Sequence, residues 1–206
     1  MRTTILKVDE PDAIERAAQM LREHKLVAFP TDTVYGLGAL AFSADDVAAL
    51  YRAKGRPPER AIAVLIAEPS MVDLVADHIP RVARRLMDRF WPGALTLIVP
   101  KRLDVPDVVS GGPTVGVRVP ALETTRRLLA VTGPLAVTSA NRSGQPSPRS
   151  AEEVMLQLEG RIHAVLDGGV TDGVPSTVVD CSRTPPAIVR PGPITEEQLR
   201  VVTRLA

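Results

Sequence analysis

The stretch Leu26-Val27-Ala28-Phe29-Pro30-Thr31-Asp32-Thr33-Val34-Tyr35-Gly36-Leu37-Gly38 sets the fold class. Its first four residues form a short apolar run of the kind a buried strand needs, and Pro30 stops it. The loop that follows offers two hydroxyls and a carboxylate, with glycines that let a ligand approach the backbone. Loops leaving the ends of buried strands are where α/β sheets bind ligands, although turn chemistry favours the same residues.

Outward from this stretch, Val, Ile and Leu runs alternate with helical patterns, the rhythm of an α/β fold. Upstream, a strand is expected over 4–8. A helix opened by Pro11 then runs to about His24, with Ile14, Ala17, Ala18 and Leu21 at helical spacing. Downstream, Ser43 and Asp46 resemble a capping box, starting a helix that ends near Gly55. Further strands are expected over 63–66, 95–99, 115–119, 135–138, 164–166, 177–180 and 188–190. A helix over 80–90 turns Val82, Leu86 and Phe90 inward and Arg81, Arg84, Arg85 and Arg89 outward. Another spans 123–131, and the capping boxes Ser150/Glu153 and Thr195/Gln198 open two more. Nineteen prolines gather in the loops, which stiffens them.

The 206 residues suit one domain spanning 1–206. Apolar residues make up 45% and charged residues 24%, as in a globular protein, while 3% aromatics disfavours base stacking as a binding mode. Lys and Arg number 25 against 24 Asp and Glu, so any attraction for anions must be local. The one cysteine, Cys181, excludes a disulfide framework and a cysteine-rich zinc site. No signal-peptide core or membrane-spanning run is present, and a cytoplasmic location is expected.

Neither of the common glycine-rich nucleotide motifs is present, nor is a serine nucleophile elbow. His24, His78 and His163 are scattered without metal-ligand spacing. Three further loops stand beside the first. Lys54-Gly55-Arg56-Pro57, with Arg60, places cations at a helix end, where they suit either the helix dipole or a triphosphate. Thr138-Ser139-Ala140-Asn141-Arg142-Ser143-Gly144 is dense in small hydrogen-bonding side chains. Pro175-Ser176-Thr177 enters a strand, with Arg190-Pro191-Gly192 shortly after. Arg118 lies in an otherwise apolar strand, so it either pairs structurally or faces a cavity, where a carboxylate ligand would match its fork. By themselves these residues indicate an anion-binding, hydroxyl-lined cavity and name no reaction.

Together they resemble the YrdC family of threonylcarbamoyl-AMP synthases. The matching segments are P-T-D-T-V-Y-G-L-G from Pro30, K-G-R-P from Lys54, W-P-G-A-L-T from Trp91 and V-G-V-R-V-P from Val115. T-S-A-N-R-S-G from Thr138, S-T-V-V-D from Ser176 and V-R-P-G from Val189 complete the set, in the family's order. The resemblance implies a twisted, mixed α/β sheet with flanking helices around a large electropositive cavity. It implies that L-threonine, bicarbonate and ATP yield L-threonylcarbamoyl-AMP and pyrophosphate, the first step of threonylcarbamoyladenosine formation in tRNA. It also implies roles: Thr33, Thr138 and Ser176 on threonine with Arg118 on its carboxylate; Lys54, Arg56 and Arg60 on the triphosphate, where Lys54 and Arg56 neutralise charge; Ser139, Asn141, Ser143 and Ser147 along the nucleotide; Arg190 on the AMP side. Mg²⁺ would ride on the ATP phosphates with no protein ligands, and a separate transferase complex would take the product to tRNA. Ala61-Ile62 departs from the family, which usually has a Pro or Gly and then Leu there. Longer relatives append a second domain, which a chain ending at Ala206 is not expected to carry. Two alternatives stand: a module for RNA binding or ribosome maturation that holds double-stranded RNA in the same basic cavity, supported by the 81–89 arginine row, and a paralogue with another carbamoyl acceptor.

Overall fold

The computed structural model describes residues 2–203, so the two ends of the expected 1–206 unit lie outside it. In chain order the elements are β1 (Thr4–Lys7), α1 (Ala13–Arg22), β2 (Val27–Phe29), β3 (Gly36–Leu40), α2 (Ala44–Lys54), β4 (Ala63–Leu65), α3 (Arg81–Phe90), β5 (Leu95–Pro100) and α4 (Asp107–Ser110). They continue with β6 (Thr114–Arg118), α5 (Glu123–Thr132), β7 (Leu135–Ser139), α6 (Ala151–Leu158), β8 (Ala164–Asp167), β9 (Thr177–Asp180), β10 (Ala187–Arg190) and α7 (Glu196–Thr203). A 3₁₀ turn over Pro69–Leu74 links β4 to α3.

The local signals act as their chemistry requires. Ser43 Oγ accepts from the Asp46 amide at 3.3 Å, and α2 ends at Gly55 in the left-handed region, φ 61°. Thr195 and Gln198 form a complete capping box, each side chain bonding the other's backbone amide. At α6 only half of the box forms: Ser150 Oγ accepts from Glu153 N, while the Glu153 carboxylate turns to the Arg149 amide.

All strands join one mixed sheet, ordered β1-β8-β2-β3-β7-β4-β6-β5-β9-β10. The segment 36–38, expected as loop, begins β3. It runs antiparallel between β2 and β7, with Phe29 opposite Gly36 and Gly36 opposite Ser139. Non-local pairings build the other half: β4 runs parallel to β6, and β5 runs parallel to β9.

Strand alternation divides the side chains between two cores. Val64, Leu95, Leu97, Val99, Val115, Val117, Ala136 and Val179 point to one face, under α2, α3 and α6. On the other face, α1 and α5 press Ile14, Ala17, Leu21, Leu128 and Leu129 against Leu6, Val27, Phe29, Leu135 and Leu166. This second cover stops short of β6, β5 and β9. Their residues of that face, Gly116, Arg118, Thr96, Ile98 and Val178, floor a cavity instead. Among the described residues no helix is long and apolar enough to cross a membrane.

Candidate active site

The cavity measures about 290 Å³. Its floor mixes Gly116, Thr96 and Arg118 with Ile98 and Val178, where the covered half of the face is apolar throughout. Loops at the strand ends form its walls: Thr31, Thr33 and Val34 after β2; Arg56, Ala61 and Ile62 after α2; Ser147; and Pro175 with Ser176 before β9. Three arginines line it, Arg56, Arg118 and Arg190, and among the described residues no carboxylate does. Such a lining favours an anion.

Arg118 ends β6 with its side chain 6% exposed. Its Nε donates to Gly93 O at 2.9 Å, Nη1 to Thr33 Oγ1 at 2.8 Å and Nη2 to Asp32 Oδ1 at 2.7 Å. Burial pulls its pKa down and Asp32 pulls it back up. A guanidinium carries five N–H donors, so two remain for a ligand. The structural and the ligand readings of this residue are thus compatible: Asp32 pairs with the buried charge, and the same residue, Arg118, lines the cavity. Asp32 Oδ1 also accepts from the Ala121 amide at 2.9 Å, which holds the carboxylate in place.

On β5, the strand next to β6, Thr96 Oγ1 lies 2.8 Å from Ser176 Oγ. Arg190 holds Ser176 on both sides, with Nε and Nη2 donating to its carbonyl at 3.0 and 2.8 Å and Nη2 to its hydroxyl at 3.1 Å. Burial, and then Arg118 and Arg56, lower the Arg190 pKa, as expected of cations gathered at one cavity. Arg56 lies along the rim, donating to the carbonyls of Arg60 and Ala61 at 3.2 and 2.9 Å.

Of the expected residues, Thr33, Arg56, Arg118, Thr138, Ser139, Ser147, Ser176 and Arg190 line the cavity. Lys54, Arg60, Asn141 and Ser143 do not. Lys54 is 2% exposed beneath the 138–143 loop, and its ammonium donates to the carbonyls of Ser139 and Asn141 and, at 3.5 Å, to Asn141 Oδ1. All three protons are used, so this geometry leaves none for a phosphate. Asn141 Nδ2 bonds Arg142 O and Gln145 O at 2.8 and 2.7 Å, and Ser143 donates its amide to Lys54 O at 2.9 Å. These residues shape the loop that presents Thr138 and Ser139. The Arg60 side chain is exposed, while its carbonyl is held by Tyr51 and Arg56.

The residue reading left Thr31 and Thr96 without a role. Thr96 had a signal, a polar residue alternating with Leu95 and Leu97, yet only the pairing of β5 with β9 brings it to Ser176.

Fold and site together define an α/β protein with an arginine- and hydroxyl-lined cavity on the uncovered half of one sheet face. The family model of Sua5, YciO and YrdC proteins, described as "Telomere recombination", matches residues 19–192, and the chain belongs to this family. A threonylcarbamoyl-AMP synthase of Bacillus subtilis (strain 168) is 47% identical over 204 residues, covering 97% of this chain and 59% of that protein. The chain therefore spans under two thirds of the length of this relative. The crystal structure of Pyrococcus abyssi Sua5 complexed with L-threonine superposes with a TM-score of 0.93 at 43% identity, covering 98% of this chain and 61% of that one. Escherichia coli YciO gives a TM-score of 0.83 at 26% identity, covering 93% and 96%.

Proposed function

We propose that this chain is a nucleotidyltransferase that converts L-threonine, bicarbonate and ATP into L-threonylcarbamoyl-AMP and pyrophosphate. The observation that carries the reading is the placement of a half-satisfied Arg118, beside the Thr33 and Ser176 hydroxyls, in the same cavity as Arg56, Ser139 and Ser147. One end suits an amino-acid carboxylate and the other a phosphate chain. The kinship to synthases, and to a Sua5 that binds L-threonine, supports it.

In this reading the threonine amine captures bicarbonate with loss of water. A carbamate oxygen then attacks the α-phosphorus, and the bond to the β-phosphoryl oxygen breaks as pyrophosphate leaves. The nucleophile is already an anion, so the protein's task is positioning and charge neutralisation, which needs no catalytic His or Cys. Arg118 orients the carboxylate, Thr33, Thr138 and Ser176 hold the amino acid, and Arg56 faces the triphosphate. Ser139 and Ser147 line the nucleotide, and Arg190 closes on the AMP side while it also holds Ser176 in place. Lys54, Asn141 and Ser143 act indirectly, by holding the 138–143 loop. The lining offers hydroxyls and arginines, and Mg²⁺ would be carried here by ATP phosphate oxygens. There it would neutralise the leaving pyrophosphate. The labile product then passes to a separate transferase acting on tRNA, in the cytoplasm.

The test is pyrophosphate release by the purified protein with Mg²⁺ and ATP, omitting threonine or bicarbonate in turn. Release that requires both is expected. Release indifferent to threonine would assign another acceptor. No release, with RNA binding that falls steeply with salt, would assign an RNA-binding module.

A further inference from the structure

The hydrogen atoms at the threonine end of the cavity can be assigned from heavy-atom distances alone. Thr31 Oγ1 lies 2.6 Å from Val34 O, and a carbonyl has no proton to give, so the Thr31 hydroxyl donates there. Thr31 Oγ1 and Thr33 Oγ1 are 2.9 Å apart. The Thr31 proton is spent, so the proton between these two oxygens belongs to Thr33. Arg118 Nη1 then donates to Thr33 Oγ1 at 2.8 Å, occupying one of its two lone pairs. The amides of Thr33 and Val34, at the longer distances of 3.2 and 3.3 Å, share the other lone pair of Thr31 Oγ1. Thr33 Oγ1 is left with one open lone pair and no proton. Both threonines are buried apart from what they present to the cavity.

We propose that Thr31 is a positioning residue that makes Thr33 an obligate hydrogen-bond acceptor, so that this end of the site admits an amine N–H beside the carboxylate held by Arg118. This rests on the amino-acid reading above and adds a polarity to it. The amine is the group that fits. Arg118 and Thr33 touch one another, so two ligand groups meeting them must sit on adjacent positions, as the carboxylate and α-amine of an amino acid do. A threonine hydroxyl lies one carbon further away. Thr33 and Arg118 thus read carboxylate and amine as a pair, one by accepting and one by donating. A carboxylate ligand with an acceptor or nothing in the amine position leaves the Thr33 lone pair unmet, at a cost in affinity of about tenfold.

Ligand-observed NMR, which follows weak as well as tight binding, can measure L-threonine, L-2-aminobutyrate (no hydroxyl) and 3-hydroxybutanoate (no amine). Thr33→Val also removes an acceptor of Arg118, so all three ligands should weaken, the two amines by about tenfold more than 3-hydroxybutanoate. Thr31→Val, which frees the Thr33 proton, should raise the threonine KM by a similar factor while the ATP KM and kcat hold, and Thr31→Ser should restore it. Equal weakening of 3-hydroxybutanoate by Thr33→Val would overturn the proposal. So would a Thr31→Val protein with wild-type threonine affinity, or Thr31→Val and Thr31→Ser equally impaired for both substrates, which would make the residue purely structural. Wild-type protein that binds no L-threonine would instead sink the amino-acid reading itself, and the polarity with it.

Discussion

At Lys54 the chain places an ammonium beneath a loop and faces it with oxygen acceptors from Ser139 and Asn141. These acceptors favour the charged form, while burial and then Arg56 oppose it and push the pKa from 10.5 down to about 7. The sign of the consequence follows from proton counting. Between about 7 and 10.5 the unfolded chain holds a proton on Lys54 that the folded chain has released, so stability should rise with pH across that interval. Thermal melts of the wild type and Lys54→Met check this. Their difference in Tm should move in the wild type's favour as pH increases, and a flat difference would mean that the carbonyls outweigh burial. Lys54 also marks a limit of residue-level reading. A lysine in a K-G-R sequence beside a serine-rich loop has the chemistry of a phosphate ligand, and nothing local indicates that its three donors will be taken by carbonyls about 85 residues away.

Glycines at two elements do work that strand propensity conceals. Gly38 in β3 lies against the Phe29 ring, where a Cβ would come within 2.6 Å of Cε1. Glycine is depleted in strands, so the segment resembles a loop until the neighbouring ring is in place. Beyond β10, a Cβ on Gly192 would stand 2.4 Å from Thr177 N and 2.6 Å from Pro175 O, both backbone atoms that cannot rotate away. That contact sets the β9–β10 hairpin against Ser176, the residue that Arg190 holds. Gly192→Ala should therefore push the hairpin off, destabilising the protein by about 1–3 kcal/mol and raising the threonine KM more than the ATP KM. Wild-type values for both would show that the hairpin can shift without moving Ser176. By contrast, the capping residues Ser43, Ser150 and Thr195 were readable because a cap needs only its own first turn.

For the whole molecule, the cavity is a consequence of unequal cover. Helices α1 and α5 fill one half of a sheet face with Leu, Ile and Ala, and the other half keeps Gly116, Thr96 and Arg118 open. Among the described residues no helix covers that half, so a ligand can bury surface there. Ligands that enter only the folded chain should raise its stability, by about 2.7 kcal/mol at a concentration a hundredfold above Kd. Melts with L-threonine and with ATP, separately and together, read this directly. A Tm indifferent to both would mean that neither ligand binds the folded chain.

The sequence by itself determined the α/β class, most strand and helix positions, the helix caps and the four loops in which polar chemistry concentrates. Each of these rests on periodicity or on interactions within one turn of chain. It also placed Arg118 on one strand face with Gly116, because alternation in a strand is strict. Only the tertiary structure decided which half of that face is left uncovered and which polar residues meet there. It turned Lys54 and Asn141 inward to a loop, brought Thr96 to Ser176, and ordered the protons of Thr31 and Thr33. The physical reason is that convergence depends on pairings such as β4 with β6 and β5 with β9, between segments far apart in the chain, and a hydroxyl's role as donor or acceptor depends on every neighbour around it.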